Sequence, residues 1–259
     1  MESPKFVTRT LDERVGILTI HNPPANVLRL DLLDELAAEL DRIADDPAVK
    51  VAVLASPLEK FFVAGADIKE LANIGSSAEG TKFSEKGQAL LDKIELSRKP
   101  FIAAAEGFCL GGGLELVLAC HMRIAGTGAS FGFPEINLGL IPGFGGTVRI
   151  SRLVGQAKAL ELTLTGSAIT AEQALSIGLV NQVVKKGAAL DTALSLARQI
   201  QGKGARAVAA VLDTVLSEGS RTERLQRESR VFGELFRTED AREGIKAFLE
   251  KRVPNFKDR

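Results

Sequence analysis

The sequence contains neither tryptophan nor tyrosine, so phenylalanine, with 13 residues, is its main source of aromatic rings. Proteins that bind single-stranded nucleic acid often stack the bases on aromatic side chains, and this chain offers few. Lysine and arginine together number 33, as do aspartate and glutamate, so the formal net charge is zero. A neutral chain does not present a polyanion-binding surface overall. We therefore expect no nucleic-acid partner.

Cysteine and histidine are also scarce, with two of each in 259 residues. Cys109 and Cys120 lie in an apolar stretch, which is typical of buried free thiols. Neither His21 nor His121 has cysteine, histidine or carboxylate neighbours at ligand spacing, so we expect no metal site. A Ser-His or Cys-His nucleophile stays open on these counts, although no Gly-x-Ser-x-Gly turn supports one.

The chain lacks a signal-peptide pattern and a long uncharged run of the kind that crosses a membrane. Residues 101–120 are mostly apolar, but Glu106 and Glu115 within them would be costly in lipid. The final tripeptide, Lys257-Asp258-Arg259, is not a peroxisomal signal. We expect a soluble cytoplasmic protein with no membrane partner.

The pattern of apolar residues predicts an α/β fold. Residues 6–10 and 15–20 form a strand pair, with Asp12 and Glu13 at the turn. Asp31 is placed to cap an amphipathic helix that continues to Ala44. Repeated alternation of strands and helices is typical of α/β layers. Further buried strands are predicted at 49–55, 61–64, 101–105 and 122–125, with an interior helix at 112–120.

The pattern becomes helical in the last third of the chain. Helices rich in alanine and charged residues are predicted at 190–201, 205–217, 222–236 and 240–251. This part is too short to bury a large core of its own, so we expect it to pack on the α/β part or on another subunit. We therefore divide the chain into a core at 1–187 and a helical region at 188–259.

Glycines open the predicted interior helix as the run Gly111-Gly112-Gly113. The first N–H groups of a helix have no partner within it, and without side chains a ligand oxygen can approach them closely. Gly65-Ala66-Asp67 offers a second such approach ahead of a short helix. Two N–H groups aimed at one point would form an oxyanion hole. The alternative is that these small residues only permit close packing of helix and strand.

Two glutamates accompany these glycines. Glu115 falls in the first turn of the glycine-headed helix, among leucine and valine side chains. Burial without a partner raises a carboxyl pKa toward the range of general acid–base catalysis. The helix dipole alone, however, is a sufficient structural reason for an acid there. Glu135 follows a proline, and taken by itself it is more typical of a solvated loop acid.

Several ordered motifs resemble the crotonase (enoyl-CoA hydratase/isomerase) family over nearly the whole chain. Together they are far more specific than any one of them. The resemblance implies a spiral of repeated ββα units, forming the catalytic core, and a helical C-terminal part that mediates trimerisation, usually in a dimer of trimers. The motifs are 22–28 (NPPANVL), 62–69 (FVAGADIK), 111–115 (GGGLE), 131–135 (FGFPE), 142–147 (PGFGGT) and 247–252 (AFLEKR).

The resemblance also implies roles for individual residues. Glu115 and Glu135 match the two acid–base glutamates of the hydratases. Ala66 and Gly112 match the backbone donors of the family's oxyanion hole, and Gly143 matches a donor that helps to seat the water. The residues that match substrate or CoA contacts are Ala25, Leu28, Ala64, Asp67, Ile68 and Lys69, with Phe248 and Lys251 contributed by a neighbouring subunit.

The activity that the resemblance implies is reversible syn addition of water to a trans-2-enoyl-CoA, giving a 3-hydroxyacyl-CoA. CoA enters as part of the substrate, and no separate cofactor is expected. Retention of both glutamates favours hydration. Three alternatives stay open: a Δ3,Δ2-enoyl-CoA isomerase, another acyl-CoA lyase, and, from a different class, an RNA-binding relative. His121 and Val148 stand where the family pattern would place Asp and Gln, and acyl-chain length depends on residues such as those of 74–88.

Overall fold

The computed structural model describes residues 6–259, and its strands form two sheets. The larger sheet has, in spatial order, β1 (Val7–Asp12), β2 (Val15–Ile20), β3 (Val51–Ala55), β5 (Phe101–Ala105), β7 (Met122–Gly126) and β10 (Gln182–Val184). The smaller sheet has β4 (Phe61–Val63), β6 (Phe108–Leu110), β8 (Ser130–Gly132) and β9 (Ile169–Thr170). Strands β1 and β2 form an antiparallel hairpin, whereas β2, β3, β5, β7 and β10 run parallel.

The helices of the described residues connect these strands and cover both sheets. None of them is long and apolar enough to cross a bilayer. In the first two thirds of the chain they are α1 (Leu30–Asp45), α2 (Ile68–Ala72), α3 (Ser77–Glu95), α4 (Gly112–Ala119), the 3₁₀ helix Pro134–Leu138, α5 (Gly146–Val154), α6 (Gln156–Thr165) and α7 (Ala171–Ser176). They continue as α8 (Ala189–Gln201), α9 (Ala205–Val215), α10 (Arg221–Leu235) and α11 (Glu239–Leu249).

Three consecutive units of the chain share one ββα plan. In each unit the first strand (β3, β5 or β7) joins the larger sheet, the second (β4, β6 or β8) joins the smaller sheet, and helix follows. The second strands pair in parallel, β4 with β6 and β6 with β8. Parallel strands bring their carboxyl ends to the same edge of a sheet, where ligands bind in many α/β proteins. The segments that begin at residues 64, 111 and 133 therefore start from one edge.

The parallel strands of the larger sheet are buried on both faces, which explains their unbroken apolar sequences. All residues of β3 and β5 are buried. Alternate side chains such as Val51 and Val53 pack with Ala193 and Ala197 of α8, while Leu54 faces the main core. Helix α8 thus covers this sheet although it lies beyond residue 187. The division of the chain into a core at 1–187 and an oligomerisation region at 188–259 stays a prediction. Residues 1–5 of that core lie outside the described range.

The predicted strands and helices are found within about two residues of their expected bounds, but two local details are wrong. Asp31 does not cap α1, which begins at Leu30 after Arg29; it lies in the first turn and pairs with that arginine. The free amide of Leu30 instead donates to a Glu70 carboxylate oxygen at 3.0 Å. The capping residue, Glu70, lies 40 positions away in the sequence, so no local pattern predicts this contact.

The hairpin turn is also displaced by one residue. Asp12 is the last residue of β1 and pairs with Val15. The turn is made by Glu13 and Arg14, with Glu13 at φ 52°.

Candidate active site

Glu115 lies in the first turn of α4, a helix whose eight residues are all buried. Its side chain is only 2% exposed. The Oε1 atom accepts hydrogen bonds from the backbone amides of Phe144 and Gly146, each at 2.7 Å. Burial raises the pKa of Glu115 to about 7, against the opposing effect of the Gly146 hydrogen bond, and the Glu135 charge acts in the same direction as burial. The group can therefore change protonation state near neutral pH.

Glu135 lies in the first turn of the 3₁₀ helix, not in a solvated loop as its local sequence suggests. Its Oε2 atom is buried and accepts no hydrogen bond from residues 6–259. Burial raises the pKa of this carboxyl as well. Gly111 makes room for it, because a Cβ atom at that position would lie 2.6 Å from Glu135 Oε1. The second glutamate therefore sits against the start of the helix that carries the first.

The amides of Ala66 and Gly112, the predicted oxyanion donors, are close neighbours. A Cβ atom placed on Gly112 would lie 3.6 Å from the Ala66 nitrogen. Leu28 holds the Ala66 segment by a short parallel pairing: its amide donates to Gly65 O at 2.8 Å, and its carbonyl accepts from Asp67 N at 3.1 Å. Neither the Ala66 nor the Gly112 amide donates to any described residue, so both are available to a substrate oxygen.

Asn26 anchors the loop that precedes Leu28, a role that sequence reasoning missed although the residue lies in one of the family motifs. The side chain is fully buried. Its Nδ2 donates to Ile20 O at 3.1 Å, Ser56 Oγ at 2.8 Å and Phe62 O at 2.9 Å, and its Oδ1 accepts from Asn22 N at 2.6 Å. One amide side chain thus ties the loop between β2 and α1 to strand β2 and to strand β4.

Gly143 lies in the loop that ends in the two Glu115-binding amides, and α3 holds this loop in place. The Gly143 carbonyl accepts from Ser84 Oγ and, at 3.1 Å, from Gln88 Nε2. Its own amide donates to no described residue. This leaves an unpaired N–H group one residue before the Phe144 amide that binds Glu115, and its use in seating water stays a prediction.

Helix α3 was not predicted, although its start carries a recognisable signal. Ser76 and Glu79 form the S-x-x-E pattern of a helix N-terminus. In the structure Ser76 Oγ accepts from Glu79 N at 3.3 Å. Farther along, Phe83 packs on the Phe144 ring with centroids 5.3 Å apart. Residues of the segment 74–88 therefore contact the loop of the candidate site, as their proposed link to the acyl pocket requires.

The remaining residues predicted to bind substrate fall into two groups. Around the end of β4, the Ala64 amide donates to Ala25 O at 3.0 Å, and Asp67 caps α2 by accepting from Lys69 N at 2.8 Å. Ile68 beside them is 57% exposed. Their contact with CoA stays a prediction.

Phe248 and Lys251 form the second group, at the end of α11. Phe248 is 83% exposed, and Lys251 is exposed too. No hydrogen bond or ion pair joins either of them to the described site residues in segments 25–143. The single chain does not bring these two residues into the site, so a role for them would require a second subunit.

His121 and Val148, the two departures from the family pattern, do not join the catalytic groups. His121 Nδ1 accepts from Phe101 N at 2.9 Å, beside the larger sheet. Burial lowers the pKa of His121 to about 4, so the ring is neutral at pH 7. Val148 is 53% exposed on α5. Among residues 6–259, no three histidine, cysteine or carboxylate side chains lie where they could share a metal ion.

The arrangement has the parts of an acid–base site acting on a polarised carbonyl group. Two carboxyl groups with raised pKa values can accept and deliver protons. Two free amides at Ala66 and Gly112 can bind an oxygen that gains negative charge. These groups come from three ββα units, gathered by the parallel pairing of β4, β6 and β8.

Comparisons with known proteins identify the family to which the chain belongs. The profile of the enoyl-CoA hydratase/isomerase family matches residues 10–259. A probable enoyl-CoA hydratase of Bacillus subtilis is 45% identical, covering 97% of this chain and 98% of the relative. The crotonyl-CoA hydratase of Syntrophomonas wolfei is 42% identical, covering 95% of each chain. The chain therefore belongs to the enoyl-CoA hydratase/isomerase family.

A solved structure confirms the fold. The crystal structure of enoyl-CoA hydratase from Bacillus anthracis superposes with a TM-score of 0.94 at 34% sequence identity, covering 98% of this chain and all of that one. The predicted α/β fold of the crotonase type, with its helical C-terminal part, is thus confirmed.

Proposed function

We propose that this protein is an enoyl-CoA hydratase, which adds water reversibly across the double bond of a trans-2-enoyl-CoA and yields a 3-hydroxyacyl-CoA. The observation that carries the proposal is the pair of glutamates: Glu115 is buried, the Oε2 atom of Glu135 is buried, and both residues lie next to the start of α4. The names of the relatives support it, since they include a crotonyl-CoA hydratase and a probable enoyl-CoA hydratase.

The roles follow from the charges that develop during hydration. The thioester carbonyl binds to the amides of Ala66 and Gly112, which stabilise the enolate oxygen; each such donor is worth about 3–4 kcal/mol in comparable sites. A water molecule between Glu115 and Glu135 forms its bond to C3. One carboxylate accepts the proton that the water loses, and the other carboxyl delivers a proton to C2. This chemistry uses acid–base groups and hydrogen-bond donors, with CoA as part of the substrate.

The oligomer belongs to the same proposal. We infer a homotrimer, alone or paired as a dimer of trimers, in which Phe248 and Lys251 of one subunit reach the CoA bound by its neighbour. Their exposure in the single chain supports this. Cytoplasmic localisation also stays a prediction.

The test is the hydration of crotonyl-CoA, followed by the loss of the absorbance of its conjugated thioester. Glu115→Gln and Glu135→Gln should each lower kcat by about 10²- to 10⁴-fold, because each removes an acid–base group. Glu172→Gln serves as the matched control, since Glu172 is exposed on α7 and lies outside the segment 74–88. If neither substitution at positions 115 and 135 changes the rate, the hydratase proposal is wrong. Conversion of a 3-enoyl-CoA to a conjugated thioester, without hydration, would identify an isomerase instead.

A further inference from the structure

A buried arginine lies behind the loop that binds Glu115. Arg149 of α5 is 6% exposed, and each of its three guanidinium nitrogens has a hydrogen-bond partner. Nε donates to Glu95 Oε2 at 2.7 Å, Nη2 donates to Asp92 Oδ1 at 2.6 Å, and Nη1 donates to Phe144 O at 2.7 Å. Two of these partners belong to α3, and the third belongs to the loop. Arg149 therefore links the loop that contains Phe144 to helix α3.

The loop is held at two successive carbonyl groups. Ser84 and Gln88 bind the carbonyl of Gly143, which shares its peptide group with the Phe144 amide. Arg149 binds the carbonyl of the next peptide, at Phe144. These contacts fix the peptide planes on either side of Phe144. The Phe144 and Gly146 amides can then converge on a single carboxylate oxygen, Glu115 Oε1.

The charge of Arg149 also acts on Glu115. The charged groups that influence the Glu115 pKa are Glu135 of the 3₁₀ helix, which raises it, and Arg149, which lowers it. Asp92 and Glu95 of α3 form ion pairs with Arg149, and their negative charges weaken the influence of the Arg149 charge on Glu115. Loss of the guanidinium would remove a cation that lowers the Glu115 pKa and would leave Asp92 without this ion pair.

We propose that Arg149 is a positioning residue of the hydration reaction: it holds the Phe144 carbonyl so that two amides bind Glu115. Its positive charge acts in the same place and favours the ionised form of that glutamate. This inference depends on the proposed function. A lysine cannot replace the arginine fully, because an ammonium group lacks the planar set of donors that binds three acceptors in one plane. The effect of the Arg149 charge can therefore be separated from the effect of its hydrogen-bond geometry, because Arg149→Lys keeps the charge and Arg149→Gln removes it.

The experiment compares Arg149→Gln and Arg149→Lys with Arg152→Gln as the matched control. Arg152 lies on the same helix and pairs with the same Glu95, but it is half exposed and does not touch the loop. The measurements are kcat and KM for crotonyl-CoA from pH 5 to pH 9, with the melting temperature of each variant. Wild-type and Arg152→Gln activity establish the reaction itself, so its absence would reject the proposed function rather than the role of Arg149.

For Arg149→Gln we expect kcat to fall by about 10- to 100-fold with KM changed little, because the catalytic carboxylate is misplaced while the acyl-CoA contacts persist. The pKa of Glu115 should rise because the ionised glutamate loses a nearby cation, so the midpoint of the limb of kcat/KM that reports this group should move to higher pH. Arg149→Lys should keep the wild-type midpoint but lose kcat by about tenfold.

A purely structural role would lower the melting temperature and leave the pH profile of the folded enzyme unchanged. That result, or kcat within twofold of wild type in folded Arg149→Lys, would overturn the proposal. If Arg149→Gln does not fold, Arg149→Lys decides the geometric part by its kcat, and a wild-type kcat rejects the proposal.

Discussion

Glu115 opposes folding at alkaline pH, which follows from its two pKa values. Its carboxyl group has an ordinary value of 4.5 when solvated, and burial raises the value to about 7 in the folded protein. The folded state therefore binds the proton more tightly. The contribution of Glu115 to stability is most favourable below pH 4.5, declines as the pH rises toward 7, and is constant above it. The full difference is on the order of 3 kcal/mol.

We predict that Glu115→Gln gains stability while it loses activity. The amide oxygen of glutamine can still accept from Phe144 and Gly146, but it has no charge to desolvate. Its free energy of unfolding at pH 8 should exceed that of wild type by about 2–3 kcal/mol, and the gap should narrow toward pH 5. Urea unfolding at several pH values measures this, with Glu172→Gln as the control. A variant less stable than wild type at pH 8 would contradict the prediction.

The adjacent residues in the sequence predict the burial of one catalytic glutamate but not of the other. The burial of Glu115 could be predicted, because leucine and valine surround it on a helix that begins with glycines. The burial of Glu135 could not be predicted from its own neighbours. It depends on the space at Gly111, which lies 24 positions earlier and comes close only when β6 and β8 pair. From the sequence, only the family resemblance indicated that Glu115 and Glu135 belong to the same site.

At the scale of elements, α3 and the loop after the 3₁₀ helix depend on one close contact. A Cβ atom on Gly87 would lie 2.0 Å from Phe144 Cδ1, far inside contact distance. The Phe144 ring is 3% exposed and also packs on Phe83, so it has little room to move. The same residue supplies an amide to Glu115. Displacement of the ring would therefore disturb the catalytic loop.

We predict that Gly87→Ala destabilises the protein by about 1–3 kcal/mol, a typical cost of overpacking, and lowers kcat as well. Gly80→Ala on the same helix is the matched control. A Cβ atom there meets nothing closer than 3.7 Å, so better helix propensity should make it neutral or stabilising by up to about 1 kcal/mol. Urea unfolding and crotonyl-CoA hydration measure both effects. Equal behaviour of the two variants would show that the Phe144 contact is unimportant.

The elements that the sequence predicted are those with a strong periodic or continuous pattern. Strand β3 and helix α1 are examples, because burial fixes most of their residues. The strands of the smaller sheet have two or three residues each. Segments this short show no periodicity, and their partners alone keep them extended. Of these four strands only β4 was predicted, at 61–64, so most of the small sheet that positions the site was not visible in the sequence.

At the scale of the whole molecule, the C-terminal helices expose more apolar surface than a lone subunit would need. Phe232 and Phe236 of α10 are 63% and 53% exposed and pack edge to face on each other. Phe248 and Val253 near α11 are more than 80% exposed. Large exposed apolar side chains grouped on one part of the chain are typical of subunit interfaces. This grouping supports the trimer inferred from the family.

We predict that light scattering after size exclusion gives a mass about three or six times 27.6 kDa. Phe232→Asp should shift the protein toward the monomer at micromolar concentration, because a carboxylate in an apolar interface is costly to desolvate. Leu11→Asp is the control, since Leu11 is similarly exposed but lies on β1. A wild-type protein that is monomeric at these concentrations would reject the trimer.

The α/β class could be predicted for the whole molecule, but the division into two sheets could not. Strands β3 and β4 follow each other in the chain and join different sheets. That choice depends on pairing with strands 36 to 49 residues away, and the ββα units contain inserts of different lengths, so no fixed period marks them. Ala66, Gly112 and Glu135 meet because their strands are neighbours in space.

The two amides that bind Glu115 give the protein an internal spectroscopic indicator. A backbone proton that donates to a carboxylate resonates at a different frequency from one that donates to a carboxylic acid. The nitrogen–proton signals of Phe144 and Gly146 will therefore follow the charge of Glu115 directly. On protein enriched in ¹⁵N, the protonation state of this one acid can be observed in the resting enzyme, without a substrate and without measuring a rate.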